Sequence, residues 1–85
     1  MNMKTIDLSK LELTMLDGTI AEHDLSKDLA QAIFQNTQKI DEHAFSLELF
    51  KNPIIELTEE NKKIIAEYTS KYFKAFVQVA VNKLM

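Results

Sequence analysis

The stretch Thr58–Leu84, TEENKKIIAEYTSKYFKAFVQVAVNKL, limits what this chain can fold into more than any other. It holds no Gly or Pro, so nothing in it breaks a helix outright. Thr58 stands where an N-cap should, with Glu59 and Glu60 behind it to complement the positive helix end. Asn61 takes the place where a capping box carries Glu or Gln, and Lys83 suits the far end. These features predict one long helix over 58–84. At about 100° per residue, Lys71, Lys74, Gln78 and Asn82 share one narrow polar stripe. Tyr72, Phe73, Phe76, Val77, Val79, Ala80, Val81 and Leu84 fill an apolar arc roughly 200° wide, where about 100° serves an ordinary surface helix. Ile64, Ile65 and Tyr68 form a narrower stripe, its centre offset by about 110°. The two halves therefore face different neighbours. The eight residues from Tyr72 to Leu84 are the candidate interface, on a segment that is either the central helix of the fold or shared with another subunit. Aromatic and valine positions at helical spacing are equally what a private core requires.

The rest of the chain must supply what packs against that helix. Residues 5–25 read as a β-hairpin. Leu11, Leu13 and Met15 alternate with Glu12 and Thr14, and Asp17-Gly18 is a two-residue type I′ turn signal. That turn sets Met15 opposite Ile20 and, less favourably, Leu13 opposite Glu22. A lone hairpin is marginal in water, so it must lie on a helix, and the first half of 58–84 is the candidate. Ile6 and Leu8 add an extended lead-in. Leu25, Leu29 and Ile33 recur every four residues and predict a helix over 26–37, capped by Asp24 or Ser26. A short helix follows over 42–51, capped by Asp41 and stopped by Asn52-Pro53. Its apolar residues Ala44, Phe45, Leu47, Leu49 and Phe50 make no single stripe. Residues 54–57 are extended, either as a short third strand added to the hairpin or as packing before the Thr58 cap. The fold class expected is α+β, one domain over 1–85, with the C-terminal helix longest.

Composition excludes more chemistry than it suggests. The 85 residues contain no Cys, which removes disulfides, thiolate nucleophiles and Cys-based zinc sites. All 10 basic residues are Lys, against 13 acidic ones, for a net charge of −3. Arg is the preferred residue for bidentate contact with phosphate and guanine, so its absence argues against specific nucleic-acid binding. No apolar run approaches the roughly 20 residues of a membrane span, and the residues around Met1-Asn2-Met3 form no apolar signal core. The expected setting is cytoplasmic, without membrane binding. His23 precedes Asp24 and Glu42 precedes His43, but neighbours in sequence diverge on a strand or a helix and make no chelate. The serines lie in no nucleophile elbow, and one Gly builds no phosphate loop. Neither a catalytic, metal nor cofactor site is expected, and no small-molecule substrate is indicated.

The order of these elements resembles a set of small phage- and prophage-encoded accessory proteins of bacteria. The matching features are the hairpin with its Asp-Gly turn, the Ser-capped SKDLAQAIFQ helix, the KN-type stop, the Ile-Glu-Leu segment and the EYTSKYFKAFVQVAV helix. The resemblance covers most of the chain. It implies an accessory or virion-assembly role and carries over no functional residue. The function expected is a non-enzymatic protein-interaction or assembly module that self-associates and meets a protein partner. The alternative is a small nucleic-acid-binding regulator using 27–37 and 42–51 as a helix pair. An enzyme would need a pocket that gathers His23, His43 and carboxylates from separate elements.

Overall fold

Ile6 and Ile55 are the inward residues of two short strands that meet although they lie far apart in the chain. β1 (Thr5–Asp7) pairs antiparallel with β4 (Ile54–Glu56), with Ile6 opposite Ile55. Asp7 then accepts from the N–H and hydroxyl of Ser9 and opens a single 3-10 turn, Leu8–Lys10, with Leu8 fully buried. β2 (Leu11–Thr14) and β3 (Ile20–His23) form the hairpin, a second two-stranded sheet that does not join the first. Helix α1 (Ser26–Asn36) and helix α2 (Ile40–Lys51) pack closely, and α3 (Glu59–Tyr72) and α4 (Ala75–Leu84) follow β4. This computed structural model describes residues 4–85, and within them the fold is α+β, with four α-helices and two small antiparallel sheets. What was expected of the N-terminal Met1 to Met3 lies outside the described residues.

The expected helix over 58–84 is broken. Phe73 (φ −123°, ψ 154°) and Lys74 (φ −74°, ψ 162°) are both extended, and α4 folds back along α3. The C-terminal helix is therefore not the longest: α4 has 10 residues and α3 has 14. The cause is tertiary, because no residue at the break is a helix breaker. Val77, Ala80 and Val81 find their burial against β2 and α3 only if the chain turns. The start at Thr58 is as expected. Its Oγ1 accepts from the Asn61 N–H (3.1 Å), and Asn61 Nδ2 donates back to Glu56 O (2.8 Å), a bond to the incoming strand in place of the reciprocal bond of a capping box.

Three local expectations also shift. The hairpin register is Thr14↔Ile20 and Leu13↔Ala21, one residue away from the expected pairing. Gly18 alone has positive φ (+88°) among the described residues, and its N–H donates to Met15 O (3.0 Å). The connection is thus the three-residue loop Leu16-Asp17-Gly18 rather than a type I′ turn, which needs positive φ at Asp17 as well. This register keeps both Leu11 and Leu13 inward and buried. The hairpin rests on α4, not on the first half of the expected long helix. Helix α2 begins two residues early, because Thr37 rather than Asp41 organises its entry; Thr37 Oγ1 accepts from Lys39 N–H (3.1 Å).

One hydrophobic core runs through these elements, anchored by Leu8, Leu11, Leu25, Leu29, Ile33, Leu49, Ile65 and Val81, which are fully buried. The molecule measures 41 × 33 × 20 Å, so its thin dimension is about two helix diameters. A body this thin cannot cover every apolar side chain, and several remain outside.

Candidate functional site

The eight candidate interface residues separate by face. Val77, Ala80 and Val81 point inward and are buried. Phe73 and Leu84 are half-buried against the core. Tyr72, Phe76 and Val79 are exposed, Val79 by 54%. The break at Phe73–Lys74 makes this division, since it turns the wide arc so that one side meets β2 and α3 and the other side is left to solvent. Tyr72, the last residue of α3, lies against Tyr68 with ring centroids 5.8 Å apart and lines neither of the grooves described next.

The outer side of α4 continues onto the outer face of the hairpin. Glu12, Thr14, Phe76, Val79, Ala80 and Lys83 line one shallow groove. Lys10, Glu12, Thr14, Ile20, Lys83 and Leu84 line the next. Phe76, Val79 and Ile20 (65% exposed) therefore belong to one strip, which Thr14 bridges. Charges of both signs edge it. Glu12 and Glu22 stand directly opposite each other across the hairpin, an unfavourable like-charge pair for an isolated sheet. Lys83 lines both grooves beside Glu12, and Lys10 lines the second.

A second apolar surface lies between α1 and α2. Its groove of about 550 Å³ is lined by Lys27, Ala30, Gln31, Phe34, Gln35, Ser46, Leu47 and Phe50. Buried Ala30 and Ser46 let the helices approach, and Phe34, Leu47 and Phe50 stand half out of the surface along the gap. Lys27 Nζ lies 5.8 Å from the Phe50 ring centroid. Sequence reasoning did not find this groove. Its signal was the failure of Phe45, Leu47, Leu49 and Phe50 to make one stripe: Leu49 faces the core while Leu47 and Phe50 face the groove.

The polar node of the protein is structural in position. Glu42 is 6% exposed, and its Oε1 accepts from Tyr68 Oη–H (2.7 Å) and Thr37 Oγ1–H (2.7 Å). The bond from Tyr68, then that from Thr37, holds the carboxyl below its ordinary range, so it is ionised and ties α2 to α3. His23 Nε2 lies 3.3 Å from Asp28 Oδ2, and the His43 ring packs by Phe34 (5.3 Å between centroids). The two histidines thus have different partners, and neither lines the α1–α2 groove. Among the described residues no group of three or more His, Asp or Glu side chains is placed to hold a metal, and no helix is long and apolar enough to cross a membrane. Comparison with protein-family models, curated proteins and solved structures returns no match to this chain.

Proposed function

We propose that this protein is a non-enzymatic interaction module of the cytoplasm, self-associating through the outer side of α4 and the outer face of the hairpin. The observation that carries the reading is the continuous strip of Ile20, Phe76 and Val79, with Glu12, Lys10 and Lys83 among the residues that line it. A two-fold pairing sets the same patch against itself. The Glu12–Glu22 pair of one copy then meets Lys10 and Lys83 of the other, which relieves the like-charge contact and fixes the register.

The α1–α2 groove supplies a separate place for an apolar segment of a protein partner. Two unconnected apolar surfaces on so small a body suit an assembly or accessory role, the role that the likeness to phage-encoded proteins implies. The nucleic-acid alternative has less behind it, since Lys27 is the only basic residue lining that groove. Sedimentation equilibrium of wild type and Val79→Glu, both refolded dilute, tests the proposal: a concentration-dependent dimer that dissociates on dilution is expected, lost in a variant that stays folded. A wild type that remains monomeric across the accessible range overturns it.

A further inference from the structure

The break between α3 and α4 is made of residues that prefer to be helical or are indifferent to it. Phe73 and Lys74 occupy ordinary extended backbone, without strain and without a Gly or Pro to hold them there. No side chain caps α4. Val77 N–H donates to Lys74 O (3.0 Å) instead of to Phe73 O, as it would in an unbroken helix. The Phe73 carbonyl is satisfied by Gln78 Nε2 (2.9 Å). The bend is thus held by what α4 buries and by one side-chain bond, while the local sequence favours a straight helix over 59–84.

We infer that α4 exchanges between two copies of this chain. The Phe73–Lys74 hinge straightens, and Val77, Ala80 and Val81 of one copy fill the site that its own α4 vacates on β2 and α3 of the other. Every inner-face contact of α4 is recovered in trans, and the straightened hinge gains helical hydrogen bonds that the bent one lacks. The occupant of that site is fixed by its fit, because it is the segment that fills it already. The exchange goes beyond the surface pairing proposed above, since it uses the inner side of α4 and does not need Val79. The two routes also differ in rate. Surface pairing is reversible on dilution, whereas exchange requires α4 to leave the core and so traps a slowly dissociating dimer.

Lys74→Pro separates them. Proline fits the φ of −74° at position 74 and favours the extended backbone seen at Phe73, so the bent chain accepts it while a straight helix does not. Wild type is refolded at high concentration, diluted and run on size exclusion. The chain lacks cysteine, so Lys63→Cys and Lys83→Cys, both exposed, take spin labels cleanly for a distance measurement within one labelled chain diluted in unlabelled protein. The expected result is a persistent dimer with an intrachain distance of about 30 Å, the span of twenty residues of straight helix. Lys74→Pro should lack that dimer and keep the short distance of folded-back helices, and Lys74→Gly should reduce the dimer several-fold. Val79→Glu should leave it in place. Failure to obtain a persistent dimer overturns the inference, as does a dimer that survives Lys74→Pro or keeps the short distance. If the dimer vanishes in Val79→Glu and survives Lys74→Pro, surface pairing stands and exchange falls.

Discussion

Helices α3 and α4 are neighbours in sequence and in space, yet they are specified in different ways. α3 carries its own instructions. Thr58 caps it, Glu59 and Glu60 fill the first turn, Lys71 lies in the last, and the Lys71–Glu67 pair (2.9 Å) spans one turn of its surface. It buries a narrow stripe of Ile65, Tyr68 and Thr69. α4 has no capping side chain and no acid in its first turn. Its start is dictated by where Val77, Ala80 and Val81 become buried, and its other side keeps Phe76 and Val79 in solvent. A locally coded helix belongs to its own fold. A helix coded only by its contacts can make those contacts with another copy.

The largest effect that separates the two helices is in their buried anchors. Ile65→Ala should destabilise by about 2–5 kcal/mol in urea unfolding, because the site is fully buried and surrounded by core. Val79→Glu on the outer side of α4 should change monomer stability by less than about 0.5 kcal/mol. A large loss of monomer stability from Val79→Glu would erase the distinction between inner and outer sides.

Tyr68→Phe comes next. It removes one donor from a buried carboxylate and should lower stability by about 1–3 kcal/mol. The same node sets the pH response. The folded-state pKa of Glu42 lies below its ordinary 4.5, so its contribution is complete above that value and is lost as pH falls through the lowered folded pKa. Asp7, Asp17 and Asp24 shift the same way through bonds from Ser9, Thr19 and Ser26. Stability should therefore fall on acidification below about pH 4.5, more gently in Tyr68→Phe, as followed by chemical denaturation across pH.

How much of this was legible in the chain follows the same division. Where a side chain signals locally, as Thr58 does for α3 or the four-residue recurrence of Leu25, Leu29 and Ile33 does for α1, the element was readable. The break at Phe73 was not, since no residue there encodes it and only the burial of Val77 and Val81 requires it. The hairpin was readable but its register was not, because Leu16, fully exposed in the loop, looks like a strand residue by hydrophobicity alone. The wide arc from Tyr72 to Leu84 was readable as an excess of apolar surface. Its division into inner Val77, Ala80 and Val81 and outer Phe76 and Val79 needed the bend.

Smaller tests sharpen the local side of the comparison. Thr58→Ala should cost about 1 kcal/mol through the lost cap, while Lys74→Ala, which removes no capping bond from α4, should change monomer stability by a few tenths at most. Thr69 Oγ1 is buried without a hydrogen-bond partner between α3 and α4. Thr69→Val keeps the shape and should stabilise by up to about 1 kcal/mol in thermal unfolding.

The most direct measurement is sedimentation equilibrium over a hundredfold concentration range for wild type, Phe76→Asp and Val79→Glu, each refolded dilute so that α4 stays on its own chain. A wild-type dimer, with both variants folded and monomeric, is the expected result and makes the outer side of α4 a seam between copies. A wild type that stays monomeric throughout, or a dimer indifferent to both substitutions, would contradict it.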